Sequence, residues 1–260
     1  MKRTTYLYAL VLLLAFAKCK SATDQPTTPE ATPLQNVLLI ISDDHAAYAL
    51  GCYGNEVIRT PNLDRLASEG TRFERAFCNA PMCTASRASF ITGKYAHATG
   101  TTLLHTPLPE AEITLADHLK TQGYATGSFG KNHFNSGLKH GYDTLVNNRE
   151  HQRWLSTQMP PPLVEGTRVR PPWKPFRDHA RTWLNAEGAT SGLPYEMDQG
   201  TFFARAGIDF MRQHKADKFF TVVSFREPHS PFNFPVEFTG KYNPSGMGMS
   251  DGLYLPVNST

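Results

Sequence analysis

The chain has 260 residues, 40% of them hydrophobic, with 26 basic and 23 acidic side chains and a formal net charge of +3. That length fills one large domain or two small ones and allows a sizeable core. The charge is too small to argue for a nucleic-acid partner, and four cysteines in such a chain do not make a disulfide scaffold.

Residues 1–20 read as an export signal. Lys2 and Arg3 form a charged start, Tyr6 to Ala17 an apolar run, and Ala15-Phe16-Ala17 a cleavage site. An alternative cut precedes Cys19, which would then carry lipid, although Lys18 before it suits a lipoprotein signal poorly. The run is too short for a comfortable transmembrane helix. Membrane attachment is therefore expected only through a lipidated Cys19, and the protein is expected to be exported, periplasmic or at the cell surface. Cleavage after Ala17 removes two bases and no acid, taking the charge from +3 to +1. Residues 21–34 read as a disordered tether. Export permits a Cys52–Cys78 bridge, but nothing in the sequence requires one.

The folded part is expected over residues 35–260. Asn36 to Ser42 is an unbroken apolar run, the pattern of a buried parallel strand. It exits into Asp43-Asp44-His45. Two adjacent carboxylates leaving a strand either face water in a turn or hold a hard divalent cation such as calcium or magnesium. Thr60 to Gly70 carries a cap, Pro at the first helical position and a closing Gly, which predicts a short helix with Leu63, Leu66 and Ala67 inward. Thr71 to Phe77 alternates as a strand. Cys83-Thr84-Ala85-Ser86-Arg87-Ala88-Ser89-Phe90-Ile91-Thr92-Gly93 follows. If residues 84–91 are helical, Cys83 lies at the helix N-terminus and Arg87 one turn along the same face. Free N–H groups, partial positive charge and a fixed cation then favour a thiolate or an anion there. A cysteine opening an ordinary helix is the plainer alternative.

Ile113 to Gln122 is the next helix, and Tyr124 to Phe129 the next strand, ending in Gly130-Lys131-Asn132-His133. On an extended exit Lys131 and His133 share a side, where a cation and an imidazole can hold an oxyanion and move a proton. Taken alone they also read as ordinary surface side chains. Residues 146–200 are interrupted by Pro160, Pro161, Pro162, Pro171, Pro172 and Pro175, with Trp154, Trp173 and Trp183 among Arg153, Arg168, Arg170, Arg177 and Arg181. This is expected to be a long loop stapled down by aromatics, or else an insertion facing an anionic sugar. Thr201 to His214 is an amphipathic helix. Phe219 to Phe225 is another buried strand, leading to Pro228-His229-Ser230-Pro231-Phe232. Strands alternating with helices predict an α/β fold with a largely parallel sheet covered on both faces, and ligands bind outside the carboxyl ends of such strands.

These motifs, in this order, resemble the formylglycine-dependent type I sulfatases. The signature is Cys83, any residue, Ala85 where many members have Pro, Ser86, Arg87, then Thr92-Gly93. Strand-Asp43-Asp44, Thr-Pro-Asn-Leu-Asp-Arg-Leu-Ala over 60–67, Gly130-Lys131-x-His133 and Pro228-His229-x-Pro231-Phe232 agree with it. The resemblance covers residues 35–145 closely and 200–235 more loosely. It implies the alkaline-phosphatase-like sandwich. It also implies that a maturation enzyme oxidises Cys83 to formylglycine, and that Asp43, Asp44 and the converted residue 83 hold calcium. Calcium, Arg87, Lys131 and His229 would neutralise the sulfate, and His133 would help the intermediate collapse back to aldehyde. The implied substrate is a sulfated small molecule or glycan.

Two departures stand out. Asn132 occupies the place of an aromatic, which puts the local packing in question. The later Asp and Asn or His that complete the family's metal site have no counterpart before Thr260, so the sequence reads as the N-terminal part of a longer enzyme. Rival readings are a phosphonate or phosphodiester hydrolase of the same superfamily, and a non-catalytic binder of sulfated glycans.

Overall fold

The computed structural model describes residues 36–169 and 188–243. The expected export signal, Cys19, the tether and the stretch from residue 244 onward lie outside the described residues, as do Arg170, Trp173, Arg177, Arg181 and Trp183. The main sheet has four parallel strands, β1 (Asn36–Ile41), β2 (Ala125–Gly130), β3 (Thr144–Val146) and β5 (Phe219–Ser224), in the order β1-β5-β2-β3. A small parallel pair, β4 (Ala189–Thr190) with β6 (Asn233–Phe234), stands apart from it. The helices are α1 (Pro61–Glu69), α2 (Cys83–Thr92), α3 (Ala96–Thr99), α4 (Leu115–Thr121), α5 (Asn148–Leu155) and α6 (Gln199–Gln213).

The alternation of side chains on β5 makes the sandwich. Phe220 and Val222 pack with Ala88 and Ile91 of α2 and Ala116 of α4, while Val223 packs on the other face with Phe203 and Phe210 of α6 and Phe129 of β2. Burying an aromatic or branched side chain at each such place stabilises the fold by about 1.5–3 kcal/mol. α4 begins two residues later than its apolar pattern suggests. Thr114 accepts from the Asp117 N–H, Asp117 reaches back to the Thr114 N–H, and Ile113 is left outside.

Several expectations are corrected. β1 is parallel, as expected, but it is an edge strand of the described sheet, half-buried on one face only. Val37, Leu39 and Ile41 join the core, whereas Leu38 and Ile40 are 45% and 55% exposed because α6 covers β2 and β5 and stops short of β1. The stretch Thr71 to Phe77 is not a strand; it pairs with none of the described strands, and Phe73 and Phe77 stand in solvent. α1 does not turn Leu63 and Leu66 inward; they are 41% and 61% exposed. Polar bonds anchor the helix instead. The Asp64 carboxylate accepts from the Cys52 N–H at 2.7 Å and the Thr60 hydroxyl at 3.0 Å, and Thr60 accepts from the Gly51 N–H at 2.9 Å. A Cβ on Gly51 would fall 2.6 Å from that carboxylate, so any other residue there would push the Asp64 side chain aside. This gives the Thr-Pro-Asn-Leu-Asp stretch its structural role. The span 146–200 is not a continuous loop. It contains α5, capped by Asn147 and Glu150, whose Trp154 stacks near Phe202 of α6 with ring centroids 5.1 Å apart. Cys52 and Cys78 are free thiols.

Candidate active site

Strand register puts the candidate residues together. Ile41 lies beside Ser224, and Ser224 beside Gly130, so β1, β5 and β2 end level. Asp43-Asp44, Lys131-Asn132-His133 and His229 therefore leave the sheet at one edge, at the carboxyl ends of neighbouring parallel strands. Gly130 makes the close junction possible. Its φ is +107°, and a Cβ there would sit 2.0 Å from the Ser224 carbonyl oxygen. With no Cβ in the way, the Lys131 N–H donates to that carbonyl at 2.9 Å. On the other side, the Phe225 N–H donates to Ile41 at 2.8 Å and the Asp43 N–H to Glu227 at 3.3 Å.

Arg87 ties these exits to α2. Cys83 is the first residue of that helix, half-buried, and Arg87 is one turn on and buried, as the spacing predicts. The Arg87 guanidinium donates to the Ser224 hydroxyl at 2.8 Å and to the Lys131 carbonyl, and lies 3.7 Å from one Asp43 oxygen. The Lys131 ammonium donates to the other Asp43 oxygen. Burial alone would raise the Asp43 carboxyl, but the Lys131 hydrogen bond and charge, with Arg87 and His229, hold it below the usual carboxylate value. Burial lowers Arg87, opposed by the charges of Asp43 and Cys83, which places Cys83 in the same field. Ser224 went unrecognised in the sequence. Its only mark is a hydroxyl ending an apolar strand.

His133 reaches the site by a route that spacing does not reveal. Its φ is +57°, not extended, and Asn135 at +54° repeats the left-handed turn. His and Asn are among the residues that tolerate this region. The turn sets the His133 ring against α2, where Nδ1 lies 3.4 Å from the Thr84 hydroxyl. Burial, then Lys131 and Arg87, push His133 down to about 4, with Asp43 opposing. Neighbouring Asn132 has a buried Nδ2 that finds no hydrogen-bond partner among the described residues, the local flaw its departure from an aromatic suggested.

Asp44 and His229 form the outer part. Asp44 is exposed with φ +55°, and His229 Nε2 lies 3.6 Å from its carboxylate, while His229 Nδ1 donates to the Ser230 carbonyl. The hard oxygens of Asp43 and Asp44 suit calcium in kind, but two carboxylates fall short of the six to eight oxygens it takes. Among the described residues no group of three or more His, Cys, Asp or Glu side chains is placed to hold a metal.

Comparison with known proteins agrees with this geometry. The Sulfatase family profile matches residues 35–250. Mouse steryl-sulfatase is 40% identical over 148 residues, 48% of this chain and 24% of that protein. The ulvan-active sulfatase of Formosa agariphila is 28% identical over 246 residues, 92% of this chain and 44% of that protein. The chain thus spans less than half the length of either relative. In structure, the phosphonate monoester hydrolase of Agrobacterium radiobacter superposes with a TM-score of 0.64 at 22% identity, over 83% of this chain and 45% of that one. With its parallel sheet between helices and a Cys-x-Ala-Ser-Arg helix at the strand ends, the chain belongs to the sulfatase family and has its alkaline-phosphatase-like α/β fold.

Proposed function

We propose that the protein hydrolyses sulfate esters, with a carbohydrate sulfate as its substrate, through formylglycine made from Cys83 by a maturation enzyme and with calcium held by Asp43, Asp44 and residue 83. One observation carries this reading: Asp43, Arg87, Lys131 and His133 meet beside the helix that Cys83 opens. The activity named for the ulvan-active relative, which aligns over 92% of the chain, supports the carbohydrate class.

The residues divide the work as follows. Arg87 and the helix N-terminus give residue 83 a positive setting that attracts a sulfate. Lys131 is engaged with Asp43, so its first role is to hold that carboxylate, and its charge reaches the anion from there. His229 sets its Nε2 at the mouth of the site, beside the Asp44 carboxylate. His133 stays neutral at neutral pH and is suited to accept a proton. When formed, the aldehyde hydrate supplies a hydroxyl nucleophile at residue 83 and a route to release sulfate by carbonyl formation. Calcium would add positive charge against the sulfate oxygens. A periplasmic or cell-surface setting rests on the export signal expected from the sequence of residues 1–20.

The test is turnover of an aryl sulfate against an aryl phosphodiester by protein made with the maturation enzyme. Sulfate preference is the expected result. Preference for the diester would make this a phosphonate or phosphodiester hydrolase. Unconverted Cys83 with retained affinity for a sulfated glycan would make it a binder.

A further inference from the structure

The position between Cys83 and Ala85 is one where the signature allows any residue, and here it is Thr84. Its side chain is not idle. Thr84 is 1% exposed, so its hydroxyl must find its partners in the protein. Two are present, the Leu104 carbonyl oxygen at 2.7 Å and His133 Nδ1 at 3.4 Å.

A hydroxyl has one proton to give and two lone pairs to receive with. A carbonyl oxygen can only accept, so the proton of Thr84 goes to Leu104. That carbonyl is held in place from the other side, since Asn135 Nδ2 donates to it at 2.9 Å and to the Thr106 carbonyl at 3.2 Å. Toward His133 the Thr84 oxygen then has only a lone pair to offer. A bare Nδ1 would set two lone pairs against each other, whereas an Nδ1–H satisfies both atoms.

We infer that Thr84 fixes the tautomer of His133, with the proton on Nδ1 and the lone pair on Nε2. Histidine in water favours the opposite form, so the site reverses the default. Which ring nitrogen is free is set by the bond the other makes. Thr84 is thus a positioning residue that acts through His133. The ring lies in the field of Lys131, Arg87, Asp43 and His229, and burial with the two cations keeps it neutral, so Nε2 holds a usable lone pair at neutral pH. Accepting a proton there from a hydroxyl at the reacting centre gives the imidazolium, still bonded through Nδ1–H to Thr84. This consequence for turnover rests on the sulfatase reading above; the tautomer itself does not.

Two-bond proton–nitrogen correlation spectra of ring-labelled histidines in the otherwise unlabelled protein decide the matter, with His133 assigned by its loss in His133→Gln. In the unsubstituted protein above about pH 6 the expected spectrum has Nδ1 protonated and Nε2 bare; a protonated Nε2 overturns the inference without any variant. Thr84→Ser keeps the pattern. The near-isosteric Thr84→Val shifts the ratio toward Nε2–H, and an unchanged ratio would show that Thr84 is not the cause. On an aryl sulfate, Thr84→Val lowers kcat by about tenfold with KM little changed, and Thr84→Ser stays within about twofold. If the unsubstituted, matured protein turns over no aryl sulfate, the proposed function fails while the spectra still decide the tautomer.

Discussion

Replacing Lys131 by Met isolates the pairing at the centre of the site. The Asp43, Lys131 and Arg87 side chains are 9%, 13% and 6% exposed, so little water is available to replace a lost partner. Removing one member of a buried ion pair costs about 3–5 kcal/mol, since the other charge stays buried. Here Arg87 remains 3.7 Å from Asp43, and at an effective dielectric of about 20 a pair at that distance retains about 4.5 kcal/mol of attraction. The expected loss is therefore at the lower end, about 3 kcal/mol, or about 6–12 °C in Tm for a domain of this size. Asp43→Asn should cost a similar amount by leaving Lys131 and Arg87 to repel. The double variant should cost about 2 kcal/mol less than the sum of the two, because it removes the stranded charge with its partner. Urea unfolding in the presence of a chelator, followed by tryptophan fluorescence, measures all four proteins. A Lys131→Met protein within about 0.5 kcal/mol of the parent, or strictly additive losses, would refute the claim that Lys131 secures Asp43.

Other outcomes follow from the same geometry. His133 sits at about 4 in the fold against 6.5 for an ordinary histidine, so the unfolded chain takes up a proton the native site refuses. Stability is full above about pH 6.5 and falls by about 3 kcal/mol as pH drops to about 4; His133→Gln should flatten that limb in urea titrations, and parallel curves would count against it. Gly130→Ala places a Cβ 2.0 Å from the Ser224 carbonyl at φ +107° and should cost about 3 kcal/mol or more, which differential scanning calorimetry would read; an unchanged Tm would mean the strand ends are less tightly joined. Calcium meets only two carboxylates among the described residues, so calorimetric titration of the 260-residue chain should give a Kd weaker than about 10⁻³ M, and tight binding would show a more complete site. Co-expression with a maturation enzyme should convert Cys83 to formylglycine, visible as a mass change in the peptide carrying residues 83–87, and a persistent thiol would argue against it.

The large features were legible because each rests on a local pattern. The unbroken apolar run of β5, the Pro that opens α1, and the Cys83-to-Arg87 spacing on one helical turn need no tertiary knowledge. Sequence could not say which faces are covered. Leu38 and Leu63 sit in correct apolar patterns yet are exposed, since periodicity reports a face that suits burial and not the neighbour that buries it. Thr71 to Phe77 has the alternation of a strand but no partner among the described strands, and alternation supplies no hydrogen bonds. His133 illustrates a different limit. Two-residue spacing puts it beside Lys131 only on an extended chain, and a left-handed φ is invisible at a residue that is not glycine.

The candidate site shows the same division at atomic scale. The charged and nucleophilic residues that meet at the strand ends were legible because the chemistry proposed for them restricts their types: carboxylates, a cysteine, cations, imidazoles. The groups that aim them are ordinary. Ser224 accepts from Arg87 at the end of a strand whose residues otherwise serve the core, and Thr84 stands where the signature accepts any side chain. Either could be exchanged for another acceptor that meets the same atom, so neither leaves a fixed letter in a motif. Asn132 shows the cost of such freedom. Its buried Nδ2, without a partner among the described residues, is worth about 1–3 kcal/mol of lost stability, yet Lys131 still reaches Asp43 and His133 still reaches Thr84 on either side of it. The backbone turn set by Gly130 and the left-handed His133 therefore holds the two side chains independently of what fills the place between them.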